Sequence, residues 1–123
     1  MPPRANPERR MSIALANLVA SKPPNKCVAC CISMERVSEN GRALMKRMGY
    51  RPGFPDWIFI GTEGRVLFME LKTPVGTLTD SQRGMHHVLR LLGHVVVVRR
   101  TALAAYQTAV RFGAGQKEFA EDE

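Results

Sequence analysis

The sequence predicts an α/β fold: one domain built on a central mixed β-sheet flanked by helices. Stretches with apolar residues at helical spacing alternate with short apolar runs. Two of those runs, 57–60 and 66–69, are joined by Gly61-Thr62-Glu63-Gly64, a tight turn that makes them an antiparallel pair. The segment 79–92 is then long enough to return the chain for a parallel pairing with the run 95–98.

Each element has a local cause. Asn6-Pro7 pairs a capping side chain with a proline at the first helical position. Met11, Leu15, Leu18 and Val19 share one helical face, and Pro23-Pro24 ends that helix. The run from Lys26 to Met34 predicts a buried strand, because free cysteine and small apolar residues favour the interior. Ser38 can cap a short helix carrying Leu44, Met45 and Met48 and stopping at Gly49. The punctuated loop Tyr50-Arg51-Pro52-Gly53-Phe54-Pro55 leads into Asp56 and a continuously apolar, central strand.

Thr79 and Gln82 have capping-box spacing, and Met85, Val88, Leu89 and Leu92 predict the apolar stripe of the helix they open. Val95 to Val98 is a run of β-branched residues expected in a central strand. A last helix over 101–112 is expected to bury Leu103, Tyr106 and Val110, and the polar stretch 113–123 to fray.

Composition narrows the class. At 123 residues, with 45% hydrophobic and 24% charged residues, the chain reads as one globular domain. The apolar runs are too short to span a bilayer, and Met1-Pro2-Pro3-Arg4 lacks a signal-peptide apolar core, so a cytoplasmic location is expected. A formal charge of +7, from 18 Lys and Arg against 11 Asp and Glu, favours a polyanionic partner such as DNA. Cys27 and Cys30 have CxxC spacing, which also admits a zinc or redox role. However, His86, His87 and His94 supply no matching second ligand pair.

The chemistry concentrates at two strand mouths. Asp56 opens one apolar run, and Glu70-Leu71-Lys72 closes the next. In an antiparallel hairpin the start of the first strand faces the end of the second, so Asp56 should meet Glu70 and Lys72. Alternation puts Glu70 and Lys72 on one face, with Val66 and Phe68 beneath them. Two carboxylates and a lysine at one point suit a magnesium or manganese ion and phosphodiester hydrolysis. The Leu71 carbonyl is a plausible further ligand, and Lys72 can orient the attacking water or offset phosphate charge. The competing explanation is a turn-closing aspartate beside a surface ion pair, since a D…ExK spacing also arises by chance. Glu8 lies on the inward face of the first helix, either as a residue stabilised by the helix dipole or as an acid aimed at the site.

Gly53-Phe54-Pro55-Asp56, Glu70-Leu71-Lys72, Leu78-Thr79-Asp80-Ser81-Gln82 and Val95-Val96-Val97-Val98-Arg99-Arg100 occur in that order. Together they resemble the PD-(D/E)xK nuclease superfamily, and more narrowly its VRR-NUC (virus-type replication-repair nuclease) family. The resemblance runs from about Arg42 to Arg100 and implies a single restriction-endonuclease-like domain over 1–123. It implies Asp56 and Glu70 as metal ligands, Lys72 as the catalytic lysine and Gln82 as the helix residue that completes the site. It also implies a first-helix acid facing the metal, for which Glu8 is the best match, with Glu35 and Glu39 as rivals. Many relatives carry an aromatic residue where this chain has His86; His86 and His87 are expected on the helix surface.

Arg42, Lys46, Arg47 and Arg51 precede the Asp56 strand, and Arg83 and Arg90 follow on the next helix. They could track phosphates with steep salt dependence, or simply solvate helix faces. Only Tyr50, Phe54 and Trp57 are near enough to stack bases, so duplex or branched DNA is favoured over single strands. Compact, stand-alone VRR-NUC domains resemble homodimeric Holliday-junction resolvases, which implies a homodimer acting on four-way junctions in a bacterial or phage-infected cell. The alternatives are a flap or restriction-like endonuclease and, in a different class, a non-catalytic basic DNA-binding module.

Overall fold

A computed structural model describes residues 6–33 and 39–123, and the side chains of Glu39, Asn40 and Arg42 lie outside that description. The element order is α1 (Pro7–Ser21), β1 (Val28–Cys31), α2 (Glu39–Arg47), β2 (Trp57–Ile60), β3 (Val66–Leu71), α3 (Asp80–Leu91), β4 (Val95–Arg99) and α4 (Ala102–Gly113). Asn6 caps α1 by accepting the Glu8 and Arg9 N–H groups, which fixes the first turn that carries Glu8. Ser38 and Glu35 fall outside the described residues.

The strands form one sheet in the order β1-β2-β3-β4. β1 and β2 are antiparallel, as are β2 and β3, while β4 runs parallel to β3, so the sheet is mixed. The register Trp57↔Met69 carries the hairpin to its open end, where Asp56 and Glu70 are next in line. A short 3-10 turn, Thr62–Gly64, closes the other end, with Glu63 and Gly64 both at positive φ.

Alternation along the strands divides the core between two sheet faces. Leu67, Met69 and Leu71 of β3 join Trp57, Phe59 and Val97 under α1 and α4, where Leu15, Ala105, Ala109 and Phe112 complete the cluster. Phe68 and Val96 face the other way and meet Leu89 of α3. Burying each large side chain in these clusters contributes about 1.5–3 kcal/mol. The Trp57 indole N–H donates to Ser12 Oγ at 2.9 Å and the Tyr106 hydroxyl to the Lys22 carbonyl at 2.7 Å. These bonds pin α1 to β2 and to α4.

Four expectations are corrected. The cysteine strand forms, but at the sheet edge: Cys30 and Cys31 are exposed and Cys27 is half-buried, all three as free thiols. At the edge of the sheet only Ala29 and Cys27 reach the core cluster, and the other side chains of the strand stay in solvent. α4 turns Ala105, Thr108, Ala109 and Phe112 inward and leaves Leu103 and Val110 exposed, because small residues let the helix lie close to the sheet and α1.

On α3, Val88 and Leu92 are exposed, while Met85, His86 and Leu89 point inward. The stretch after α4 is docked rather than frayed. Val98 and Arg100 donate backbone N–H groups to the Glu121 and Glu123 carbonyls at 2.6 and 2.9 Å, and Phe119 packs near Phe112. The free edge of β4 has unpaired backbone groups, and this segment satisfies them. Among the described residues no helix is long and apolar enough to cross a membrane.

Candidate active site

The open end of the hairpin gathers the charged residues. Asp56, Glu70 and Lys72 are all buried, an arrangement that is costly unless the charges answer one another. Asp56 Oδ2 accepts the Leu71 N–H at 2.8 Å. Its carboxyl also shares a hydrogen bond with Glu70, and Ser33 contributes a further side-chain bond. Burial, followed by the hydrogen bond to Glu70 and that residue's negative charge, pushes Asp56 up to about 8 from an ordinary 3.8. Two carboxyls that close together hold a proton between them unless another positive charge replaces it.

Lys72 Nζ lies 3.9 Å from Glu8 Oε1, so the N-terminal turn of α1 brings a third acid to the edge of the site. Glu8 reaches the site through Lys72, and among the described residues no three His, Cys, Asp or Glu side chains converge as a metal cluster. Glu8, the first-helix acid expected to face the metal, stands at the edge of the site with its contact to the opposite charge of Lys72. The donor set is a carboxylate pair with the Leu71 carbonyl adjacent in the chain. That set fits magnesium or manganese, which bind through one or two carboxylates and retain water. It lacks the set of cysteine or histidine ligands on which zinc sites are chiefly built.

α3 supplies the wall. Thr79 and Gln82 form the capping box, with the Thr79 N–H donating to Gln82 Oε1 at 2.9 Å and the Gln82 N–H to Thr79 Oγ1 at 3.2 Å. Gln82 Nε2 is left in a long 3.5 Å contact with Glu70 Oε2, so one side chain both caps the helix and faces the site. The expected surface position of His86 is corrected: it is fully buried, with Nε2 3.0 Å from Glu70 Oε1, whereas His87 is exposed. Burial, reinforced by the Arg90 charge, lowers His86 to about 4 from 6.5. The contact is therefore a hydrogen bond with a neutral imidazole rather than an ion pair. The signal for His86 was its place one helical turn beyond Gln82.

Gly53 joins these parts. Its φ is +81°, and a Cβ there would overlap the Ser81 carbonyl and lie 2.8 Å from the Gln82 nitrogen. The loop that delivers Asp56 thus rests directly on the start of α3.

The basic residues divide between solvent and structural contacts. Lys46, Arg47 and Arg51 are exposed beside the loop into Asp56, and Arg42 lies outside the described side chains. Arg83 is exposed but ion-pairs with Asp80 and donates to the Leu78 carbonyl at 2.6 Å. Arg90 donates to the Val96 carbonyl and faces Glu121, which makes it a structural tie. A cleft of about 380 Å³ lined by Arg65, His94, Lys117 and Phe119 lies at the opposite ends of β3 and β4, away from the carboxylates. A site that acts on a polymer needs an open surface rather than that cleft.

No protein-family model, curated protein or solved structure significantly matches the chain. Geometry and chemistry alone therefore carry the case for function.

Proposed function

We propose that this protein is a metal-dependent endodeoxyribonuclease of the PD-(D/E)xK type, of the VRR-NUC kind, acting on branched DNA as a homodimeric Holliday-junction resolvase. The observation that carries the proposal is the buried, hydrogen-bonded pair Asp56 and Glu70 beside the buried Lys72. A structural ion pair at a strand end would not require two carboxyls to face each other out of water.

Asp56, Glu70 and the Leu71 carbonyl would hold magnesium or manganese. When bound, such an ion polarises the phosphoryl group and makes water a better nucleophile. Lys72 offsets negative charge as it builds on the scissile phosphate and orients the incoming water, while Glu8 keeps the ammonium in place. Gln82 restrains Glu70. Water adds to phosphorus, the P–O bond to the leaving strand breaks, and that oxygen takes up a proton. The net charge of +7 supports a polyanionic substrate. Two copies related by symmetry would suit paired incisions in a four-way junction.

The test compares four-way junctions, flaps and linear duplex with magnesium and with manganese. Symmetric cuts confined to the junction support the resolvase reading, and cutting of flaps alone supports a flap endonuclease. Binding without cutting in either metal supports a non-catalytic DNA-binding module and overturns the enzyme reading.

A further inference from the structure

His86 stands outside the residues that the nuclease reading uses, yet its ring is fully buried against one of them. Its Nδ1 is also buried and has no hydrogen-bond partner among the described residues. Leucine or phenylalanine would fill such a place without leaving a ring nitrogen unpaired, so an imidazole there needs a compensating use. The contacts at Glu70 supply one. His86 Nε2 is 3.0 Å from Oε1, and Gln82 Nε2, one turn earlier on α3, is 3.5 Å from Oε2. In the tautomer that carries its proton on Nε2, His86 and Gln82 together present one donor to each oxygen and restrain the carboxyl against rotation, leaving it turned toward Asp56.

We propose that His86 is a positioning residue that locks the Glu70 carboxyl in the orientation needed to bind a divalent cation jointly with Asp56. The inference rests on the nuclease reading of the site. His86 touches neither DNA nor the reacting atoms and acts only through Glu70. Partners that hydrogen-bond a ligating carboxylate from behind typically change metal affinity by about 10–100-fold.

The test is manganese binding to the DNA-free protein, followed by electron paramagnetic resonance. It uses the unaltered chain, Glu70→Ala, His86→Phe, His86→Gln and His86→Asn. Glutamine can bring its amide nitrogen to about where Nε2 lies, whereas asparagine is one bond too short. The Phe and Asn variants should bind manganese about 10–100-fold more weakly, the Gln variant should recover most of that loss, and the Phe variant should melt no lower than the unaltered chain. Affinity of the Phe variant within about twofold of the unaltered protein overturns the inference, as does equal affinity of the Gln and Asn variants. If the Phe variant does not fold, the Gln and Asn comparison decides. If Glu70→Ala loses manganese binding while the His86 variants keep it, the inference alone falls. If the unaltered chain binds no manganese, or Glu70→Ala binds it fully, the nuclease reading falls too.

Discussion

Asp56 Oδ2 accepts the Leu71 N–H at 2.8 Å, a bond from the residue before β2 to the last residue of β3. It fastens the carboxyl to the neighbouring strand and leaves it facing Glu70. Asp56→Ala removes the acceptor and strands a buried N–H, which should cost about 1–3 kcal/mol. Asp56→Asn can still accept from Leu71 while removing the buried charge. It should therefore melt no lower than the unaltered metal-free protein at pH 8, while losing cation binding. Equal destabilisation by the two variants would contradict this.

The pH dependence of metal-free stability has a definite sign. Between 3.8 and about 8, folded Asp56 keeps a proton that the unfolded chain has released. Its contribution to stability therefore falls as pH rises across that window. His86, held at about 4 rather than 6.5, stays neutral while the unfolded chain takes up a proton, so its contribution falls as pH drops from 6.5 toward 4. From these two groups the slopes oppose between about 4 and 6.5, and a net decline remains between about 6.5 and 8. Magnesium competes with the Asp56 proton, so it should raise the melting temperature more at pH 8 than at pH 6. An equal increment at both would count against the shared proton.

Gly53→Ala tests the contact between the Asp56 loop and α3. Positive φ and the nearby Ser81 and Gln82 backbone make any side chain there strained. The variant should lose at least about 1 kcal/mol in chemical denaturation and cleave more slowly, because both Asp56 and Gln82 shift. Unchanged stability would show that the loop does not rest on the helix.

Removing residues 119–123 strips β4 of its outer partner. Three backbone hydrogen bonds join Val98 and Arg100 to Glu121 and Glu123, and the Glu123 carboxylate lies 3.8 Å from the buried Arg99 guanidinium. The shortened chain should be about 2–4 kcal/mol less stable, with faster amide exchange at Val98 and Arg100. An unaltered denaturation midpoint would place the segment off the sheet.

The hairpin and the meeting of Asp56 with Glu70 could be read from the sequence, because the tight turn after Ile60 and strand alternation leave little choice of register. The parallel return through α3 followed from its length. His86 could not be placed the same way: hydropathy sent Val88 and Leu92 inward, but the helix is oriented by its capping box and by Glu70, a polar partner on another element. The edge position of Cys30 and Cys31, and the docking of 119–123, depend on which strand edges remain open. That is a property of the assembled sheet and not of any local run. α4 misled for a related reason, since close packing on α1 selects Ala105 and Ala109 over the larger Leu103.

The most direct test of the central claim is the cleavage rate of a four-way junction in magnesium for the unaltered protein, Glu70→Ala and Lys72→Ala, with DNA binding measured alongside. Both variants should lose at least about 100-fold in rate while binding DNA nearly as well as the unaltered chain. Cleavage that persists at the unaltered rate in both variants, or that proceeds equally in excess chelator, would contradict the assignment of Asp56, Glu70 and Lys72 as a metal-dependent nuclease site.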